Sequence, residues 1–407
     1  MDLSKRITGL TGEQGDGWGL FLRAREMMAA GEAVVELTIG EHDIATAPEI
    51  LAAMERSARA GHTGYAAVPG TDSLRDAVAA RLEARTGVAT GRNNVLITPG
   101  GQAGLFAAHA AVCDGGDRAL FIDPYYATYP GTIRAVGAVP VAVAARAEDG
   151  FQPDEAALGA QAAGASSLLI NTPNNPTGVI YSRKTLEGIA AICQEADLWL
   201  ISDEVYDTQI WQGRHLSPRA LPGMGERTLV VGSMSKSHAM TGSRIGWIIG
   251  PEEAIEHLTN LATHTTYGVP GYIQDAAEFA LAQGERLEAQ IAAPFGRRRL
   301  LALEALAGQN VVRVVPSDGA MYLMLDVAAT GLSGEDFAFA LLAHEKIAVM
   351  PGSSFGQAAH NHIRVAMTLE DTAFLAAFKR ILSFAAAKAG EKSNGRGASP
   401  HASRVTS

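Results

Sequence analysis

The stretch GSMSKSHAMTGSRIGW, residues 232–247, puts a lysine among small residues between two apolar runs, 228–231 and 245–250. A lone lysine in a loop is most simply a solvated surface group. Here Ser233 and Ser235 set hydroxyls beside Lys236, and Arg244 follows in the same small-residue turn, ahead of an apolar run. Desolvation lowers the pKa of an amine and makes it a nucleophile toward a carbonyl carbon. A phosphate close to that carbonyl accounts for the hydroxyls and the guanidinium together. The cofactor that combines an aldehyde with a phosphate is pyridoxal 5′-phosphate.

Outward from this stretch, short Val/Ile/Leu-rich runs recur: NVLITPG (94–100), RALFID (118–123), PVAVAA (140–145), SSLLIN (166–171), LWLISD (198–203), TLVVGS (228–233) and RIGWIIG (244–250). They lack polar alternation, as strands buried on both faces of a mainly parallel sheet do. Helical patterns such as 184–195 lie between them, so the fold class is α/β. From about residue 285 the pattern changes. Residues 284–306 read as one long amphipathic helix with a bend near Pro294, and VVRVVP, GAMYLMLDV and HIRVAM read as strands of a smaller α+β region. The last stretch, GEKSNGRGASPHASRVTS (390–407), is polar and rich in Gly and Ser, and is expected to be a disordered tail.

Composition narrows the function. The chain has 407 residues, 47% of them apolar, enough for a large core. A net charge of −10 argues against a general nucleic-acid surface. The two cysteines, Cys113 and Cys193, are too few for a disulfide framework and lack metal-ligand spacing, so no metal is expected and a reducing cytoplasm fits. No apolar run is long enough for a membrane span, and the N-terminus shows no signal-peptide h-region.

A pyridoxal ring needs a carboxylate at its pyridine nitrogen. Asp203 stands at the carboxyl end of LWLISDEVYD, where open α/β sheets place ligand residues, although an Asp there also serves as a helix cap or turn residue. Tyr206 and Asn175 (in NTPNNPTG, 171–178) follow strands and offer hydrogen bonds to the ring oxygen; NNPTG is equally a turn sequence. In TPGGQAGLF the backbone N–H groups of Gly101 and Gln102 open a helix and suit an anion.

These motifs together resemble the class I/II aminotransferases of pyridoxal-phosphate fold type I. The resemblance runs from LTIGEHDIATAP (37–48) through GYAAVPGTDSLR (64–75), TPGGQAG, DPYYATYPG (123–131), NTPNNPTG, SDEVYD and SMSKSHAMTGSRIGW to HIRVAMTLED (362–371). It is closest to the aspartate and arginine–pyruvate subgroup. It implies a large cofactor-binding domain over 48–284, a small domain and N-terminal arm from 1–47 and 285–389, and ping-pong transfer of an amino group from an L-amino acid to a 2-oxo acid. It assigns Lys236 the covalent link to the cofactor and the proton transfer, and Asp203 the pyridinium nitrogen. Tyr206 and Asn175 take the ring oxygen, and Tyr126 the ring face, where many relatives carry Trp. Gly101, Gln102, Ser233, Ser235 and Arg244 take the phosphate. Arg364 becomes the clamp on the substrate carboxylate, Asn175 borders the substrate too, and Gly40 lets the chain pass close to it. Tyr65 is expected to reach the phosphate of a neighbouring subunit, which implies a homodimer with shared active sites. Ser243 stands where many relatives have a larger residue.

The donor is less legible. The resemblance places GEQGDGWGL (12–20), with Glu13, Asp16 and Trp18, near the pocket mouth; its acidic residues suit a cationic side chain such as arginine or else form a solvated acidic loop. A dicarboxylate such as aspartate needs a distal cation, and Arg23, His264 and Lys346 qualify by type. His264 and Tyr267 either line the pocket or pack a helix end. Two rival functions share the fold: a pyridoxal-phosphate β-lyase or decarboxylase, and a non-catalytic pyridoxal-binding protein.

Overall fold

A computed structural model of the chain describes residues 1–12 and 17–396. Its strands are β1 (Val35–Leu37), β2 (Val95–Thr98), β3 (Arg118–Asp123), β4 (Val139–Ala144), β5 (Ala165–Asn171), β6 (Trp199–Asp203), β7 (Thr228–Ser233), β8 (Gly246–Ile249), β9 (Arg313–Val314), β10 (Tyr322–Asp326), β11 (Ile347–Pro351) and β12 (His362–Ala366). The larger sheet has the order β2-β8-β7-β6-β5-β3-β4. Its strands pair in parallel except β8, which is antiparallel to both β2 and β7.

The unbroken apolar runs follow from burial on two sides. Leu120, Ile122, Leu168, Ile170 and Leu200 pack into one core, while Phe121, Leu169, Ile201 and Val231, one residue out of phase, pack into another on the opposite face. Helices cover both faces. One of them, Arg183–Glu195, starts at the N-cap Ser182, whose Oγ accepts the Thr185 N–H at 3.0 Å. Such a cap is worth about 1 kcal/mol.

The smaller sheet, β1-β11-β12-β10-β9, is antiparallel apart from the parallel β1–β11 pair. It packs on Phe337, Phe374 and Phe378, all fully buried. The helix Glu285–Leu306 runs continuously with Pro294 inside it. The helix Asp371–Arg396 continues past residue 390, where the sequence led us to expect the tail to begin. The Ala- and Lys-rich composition supports helix there, and Lys388 pairs with Glu391 at 3.0 Å one turn on. Residues 397–407 of the expected tail lie outside the described residues. None of the described helices is long and apolar enough to cross a membrane.

Candidate active site

The parallel strands β3, β5, β6 and β7 end at Asp123, Asn171, Asp203 and Ser233, along one edge of the large sheet. The register sets Asn171 directly opposite Asp203. Segments leaving this edge, with residues of β10, β12 and the 39–40 turn, enclose a cavity of about 230 Å³. Of the residues picked out from sequence, Gly40, Gly101, Gln102, Tyr126, Asn175, Asp203, Tyr206, Ser233, Ser235, Lys236, Arg244 and Arg364 all line it. Tyr65 does not: it is 90% exposed, its ring edge-on to Tyr267 at 5.1 Å. A wider groove of about 1190 Å³ adjoins the cavity and shares Trp18, Gln102 and Arg244 with it.

Lys236 sits on the single-turn helix Met234–Ser237 that follows β7, and its Nζ donates to the Gly40 carbonyl. Burial pushes its pKa down, so the amine is biased toward the neutral, nucleophilic form. Asp203 accepts the Tyr129 hydroxyl at 2.7 Å and the Val205 N–H at 3.3 Å. Burial outweighs both bonds and raises its pKa to about 6. A buried carboxylate held this way is stabilised by a cation placed beside it.

At one end of the cavity the helix Gly101–Val112 presents its N-terminus. Gly100 precedes it at φ +81°, and a Cβ there would meet the Arg244 guanidinium. Arg244 itself takes the left-handed conformation, φ 50°, and its Nη1 donates to the Thr241 carbonyl at 2.8 Å. Ser233 Oγ accepts the Ser235 N–H at 3.1 Å and lies 3.0 Å from the Ser235 hydroxyl. Helix N-terminus, guanidinium and hydroxyls therefore converge on one end, an arrangement suited to a phosphate.

At the other end Arg364, on β12, is 3% exposed. Its Nη1 donates to Asn175 Oδ1 at 2.8 Å and its Nη2 to the Thr38 carbonyl. The guanidinium lies between the rings of Tyr322, 4.3 Å away, and Phe355, 4.4 Å away. Its buried Nε has no partner among the described residues. Tyr322 OH bonds Tyr206 OH at 2.9 Å, and Asn175 Nδ2 reaches both hydroxyls at 3.4 Å. A Cβ on Gly40 would overlap the Tyr322 hydroxyl, so glycine is required for this close approach.

Tyr322, Tyr129, Phe355 and Thr38 were not picked out from sequence. Tyr129 lies within the quoted DPYYATYPG motif, and Tyr322 is the one tyrosine in the apolar strand GAMYLMLDV. Thr38 acts through its backbone carbonyl, which leaves no side-chain signal. Of the proposed distal cations, Arg23 pairs with Glu26 and Lys346 with Glu32, and none of Arg23, His264 and Lys346 lines the cavity. His264 stays at its helix end, its Nδ1 2.8 Å from the Asn260 carbonyl. Glu13 and Asp16 lie outside the described residues.

The chain matches the family model for aminotransferases of class I and II over residues 32–381. The chain belongs to that family. It is 38% identical to an arginine–pyruvate transaminase of Pseudomonas aeruginosa over 96% of this chain and 99% of that protein. It is 34% identical to an aspartate/prephenate aminotransferase of Thermus thermophilus over 88% and 92% of the two chains. The solved structure of an aspartate aminotransferase from Thermus thermophilus with maleate superposes with a TM-score of 0.86 at 31% identity, covering 94% of this chain and all of that one. The α/β architecture is thus that of fold type I. The family moves amino groups between amino acids and 2-oxo acids with pyridoxal 5′-phosphate. The cavity fits that cofactor: a buried carboxylate that favours a cation, a buried amine, and a phosphate-type donor set lie within one enclosure.

Proposed function

We propose that the site transfers the amino group of arginine, or another amino acid without a distal carboxylate, to a 2-oxo acid such as pyruvate. One observation carries this: the cations lining the cavity, among the described residues, are Lys236, Arg244 and Arg364. Each has a task in the reading below, so the chain's own cavity leaves none for a second substrate carboxylate; the adjoining groove adds Arg134, whose Nη1 donates to the Leu10 carbonyl at 3.1 Å. The 38% identical relative named for arginine and pyruvate supports the same choice.

When bound, the cofactor supplies an aldehyde carbon that takes up the amine and an electron-poor ring that accepts the electron pair left at the substrate Cα. Lys236 is the residue that would link to it and, once displaced by substrate, its Nζ would carry the proton from the substrate Cα to the cofactor C4′ carbon, and back again in the second half of the exchange. Asp203 holds a proton at the ring nitrogen. Tyr206 and Asn175 bond the ring oxygen, and Tyr126 covers one ring face. Gly101, Gln102, Ser233, Ser235 and Arg244 grip the phosphate. Arg364, oriented by Asn175, Thr38 and its two flanking rings, takes the α-carboxylate through its fork, with Gly40 alongside.

The reading includes a homodimer in which the exposed Tyr65 reaches the partner's phosphate site. It assigns residues 48–284 to a cofactor-binding domain and 1–47 with 285–389 to a smaller one, in keeping with the two sheets. A cytoplasmic location is supported by the two free, buried cysteines.

The test is a half-reaction. The cofactor-loaded protein receives arginine, alanine, aspartate, glutamate or an aromatic amino acid singly, without oxo acid, and conversion to the pyridoxamine form is followed by absorbance. Arginine is expected to convert it fastest. Fastest conversion by aspartate or glutamate refutes the donor assignment. Release of pyruvate and ammonia without an acceptor indicates a lyase instead.

A further inference from the structure

We propose that Arg298, which lies outside the cavity, is a positioning residue that holds the segment 38–43 against Lys236 and Arg364. The proposal rests on the roles given to those two residues above. Segment 38–43 follows the three-residue strand β1 and has no helix or strand of its own. It nevertheless supplies two acceptors to the site: the Thr38 carbonyl receives Arg364, and the Gly40 carbonyl receives Lys236. Backbone carbonyls orient side chains only if the backbone itself is fixed.

The strongest tie on the segment is Asp43. It accepts Arg298 Nη1 at 2.9 Å and Nη2 at 2.6 Å, a bidentate charged pair. Arg298 is 3% exposed on the helix Glu285–Leu306 and is fixed from the other side by Asp371 at 2.9 Å and the Met367 carbonyl at 2.9 Å. The other side-chain ties are single bonds: the Thr38 hydroxyl donates to Glu36 Oε1 at 2.8 Å on the neighbouring strand β1, Thr368 reaches the Ile39 carbonyl at 3.4 Å, and the exposed Glu41 accepts the Thr241 hydroxyl at 3.0 Å. His42 packs edge-on against Phe295 at 5.3 Å, three positions before Arg298 on the same helix. Neither His42 ring nitrogen makes a close hydrogen bond among the described residues, and the ring packs beside the Lys236 backbone. The helix therefore buttresses the segment through Phe295 and locks its position through Arg298.

Two single substitutions separate positioning from general stability. Asp43→Ala removes the tie to the segment and leaves Arg298 bound to Asp371 and Met367. Asp371→Ala removes the opposite tie and leaves the segment held. For the fastest donor of the panel above, Asp43→Ala is expected to raise KM about tenfold, with cofactor uptake retained, since misplacing an orienting group by a fraction of an ångström is enough. Asp371→Ala should change KM less than about twofold, whatever it does to Tm. Arg298→Lys keeps a cation without the fork and should fall between. Amide hydrogen exchange on the cofactor-free protein gives a second readout: peptides covering 38–43 should exchange faster in Asp43→Ala and as before in Asp371→Ala. The proposal is overturned if Asp43→Ala leaves both KM and exchange unchanged, or if Asp371→Ala moves KM as far. Failure of the functional reading is distinct, because it would already show as an unsubstituted enzyme that converts no donor.

Discussion

Replacing Asp203 by Asn should make the cofactor-free protein more stable while disabling the loaded enzyme. Burial raises the Asp203 carboxyl from its ordinary 3.8 to about 6. Between those values the native state binds more protons than the unfolded chain, so its stability falls as pH rises through about 4 to 6. At 1.36 kcal/mol per tenfold the gap makes the loss about 3 kcal/mol. An amide cannot titrate; its oxygen still accepts the Val205 N–H, and its NH2 group donates to the Tyr129 hydroxyl oxygen, reversing that bond. For 407 residues an unfolding entropy of about 2.1 cal/mol/K per residue sums to about 0.85 kcal/mol/K, so the difference is about 3 to 4 °C in Tm. The assay is the Tm of both cofactor-free proteins from pH 4 to 8. The curves should meet near pH 4, and the variant should lie about 3 to 4 °C higher at pH 7. With cofactor the order of merit reverses: a carboxylate about 4 Å from a cation is worth about 4 kcal/mol at an effective dielectric of 20, so turnover should fall about a thousandfold. A variant less stable at pH 7, or a Tm difference that ignores pH, refutes the reasoning.

Arg364→Lys loses both the fork and the stacking between Tyr322 and Phe355, and should raise KM for the amino acid about a hundredfold in steady-state kinetics while cofactor affinity holds. Gly40→Ala displaces the Tyr322 hydroxyl from Tyr206 and Asn175, and should reduce kcat/KM about a hundredfold with little change in far-UV circular dichroism. Tyr65→Phe should weaken cofactor binding about tenfold, measured by equilibrium dialysis. If the partner supplies this hydroxyl, mixing the variant with Lys236→Ala subunits should yield one site type that carries both lesions and one that carries neither.

The large sheet was readable because burial on both faces leaves strands with continuous apolar runs, and the side chains at their carboxyl ends, Asp203 and Ser233, stand where the runs stop. β1 and β11 were not singled out. Val35–Leu37 is three residues long, and IAVMP follows a helix with no turn signal that separates it from ordinary core. The site's second wall was hidden for a related reason. Tyr322 sits in an apolar strand and Phe355 in the Gly- and Ser-rich turn PGSSFGQ, and only the packing of the smaller domain against the cavity shows that they enclose Arg364. Arg298 and Asp43 are 255 positions apart, a pairing that no local pattern reveals. Asn175 and Arg364 were each legible from motif, yet their 2.8 Å bond, which orients the guanidinium, comes from the fold.

The most direct measurement is borohydride reduction of the cofactor-loaded protein followed by peptide mapping. Reduction fixes the link between cofactor and lysine as a stable secondary amine. The account predicts one labelled peptide, with the pyridoxyl mass on Lys236. A label on another lysine, or no label in a protein that has taken up the cofactor, contradicts it.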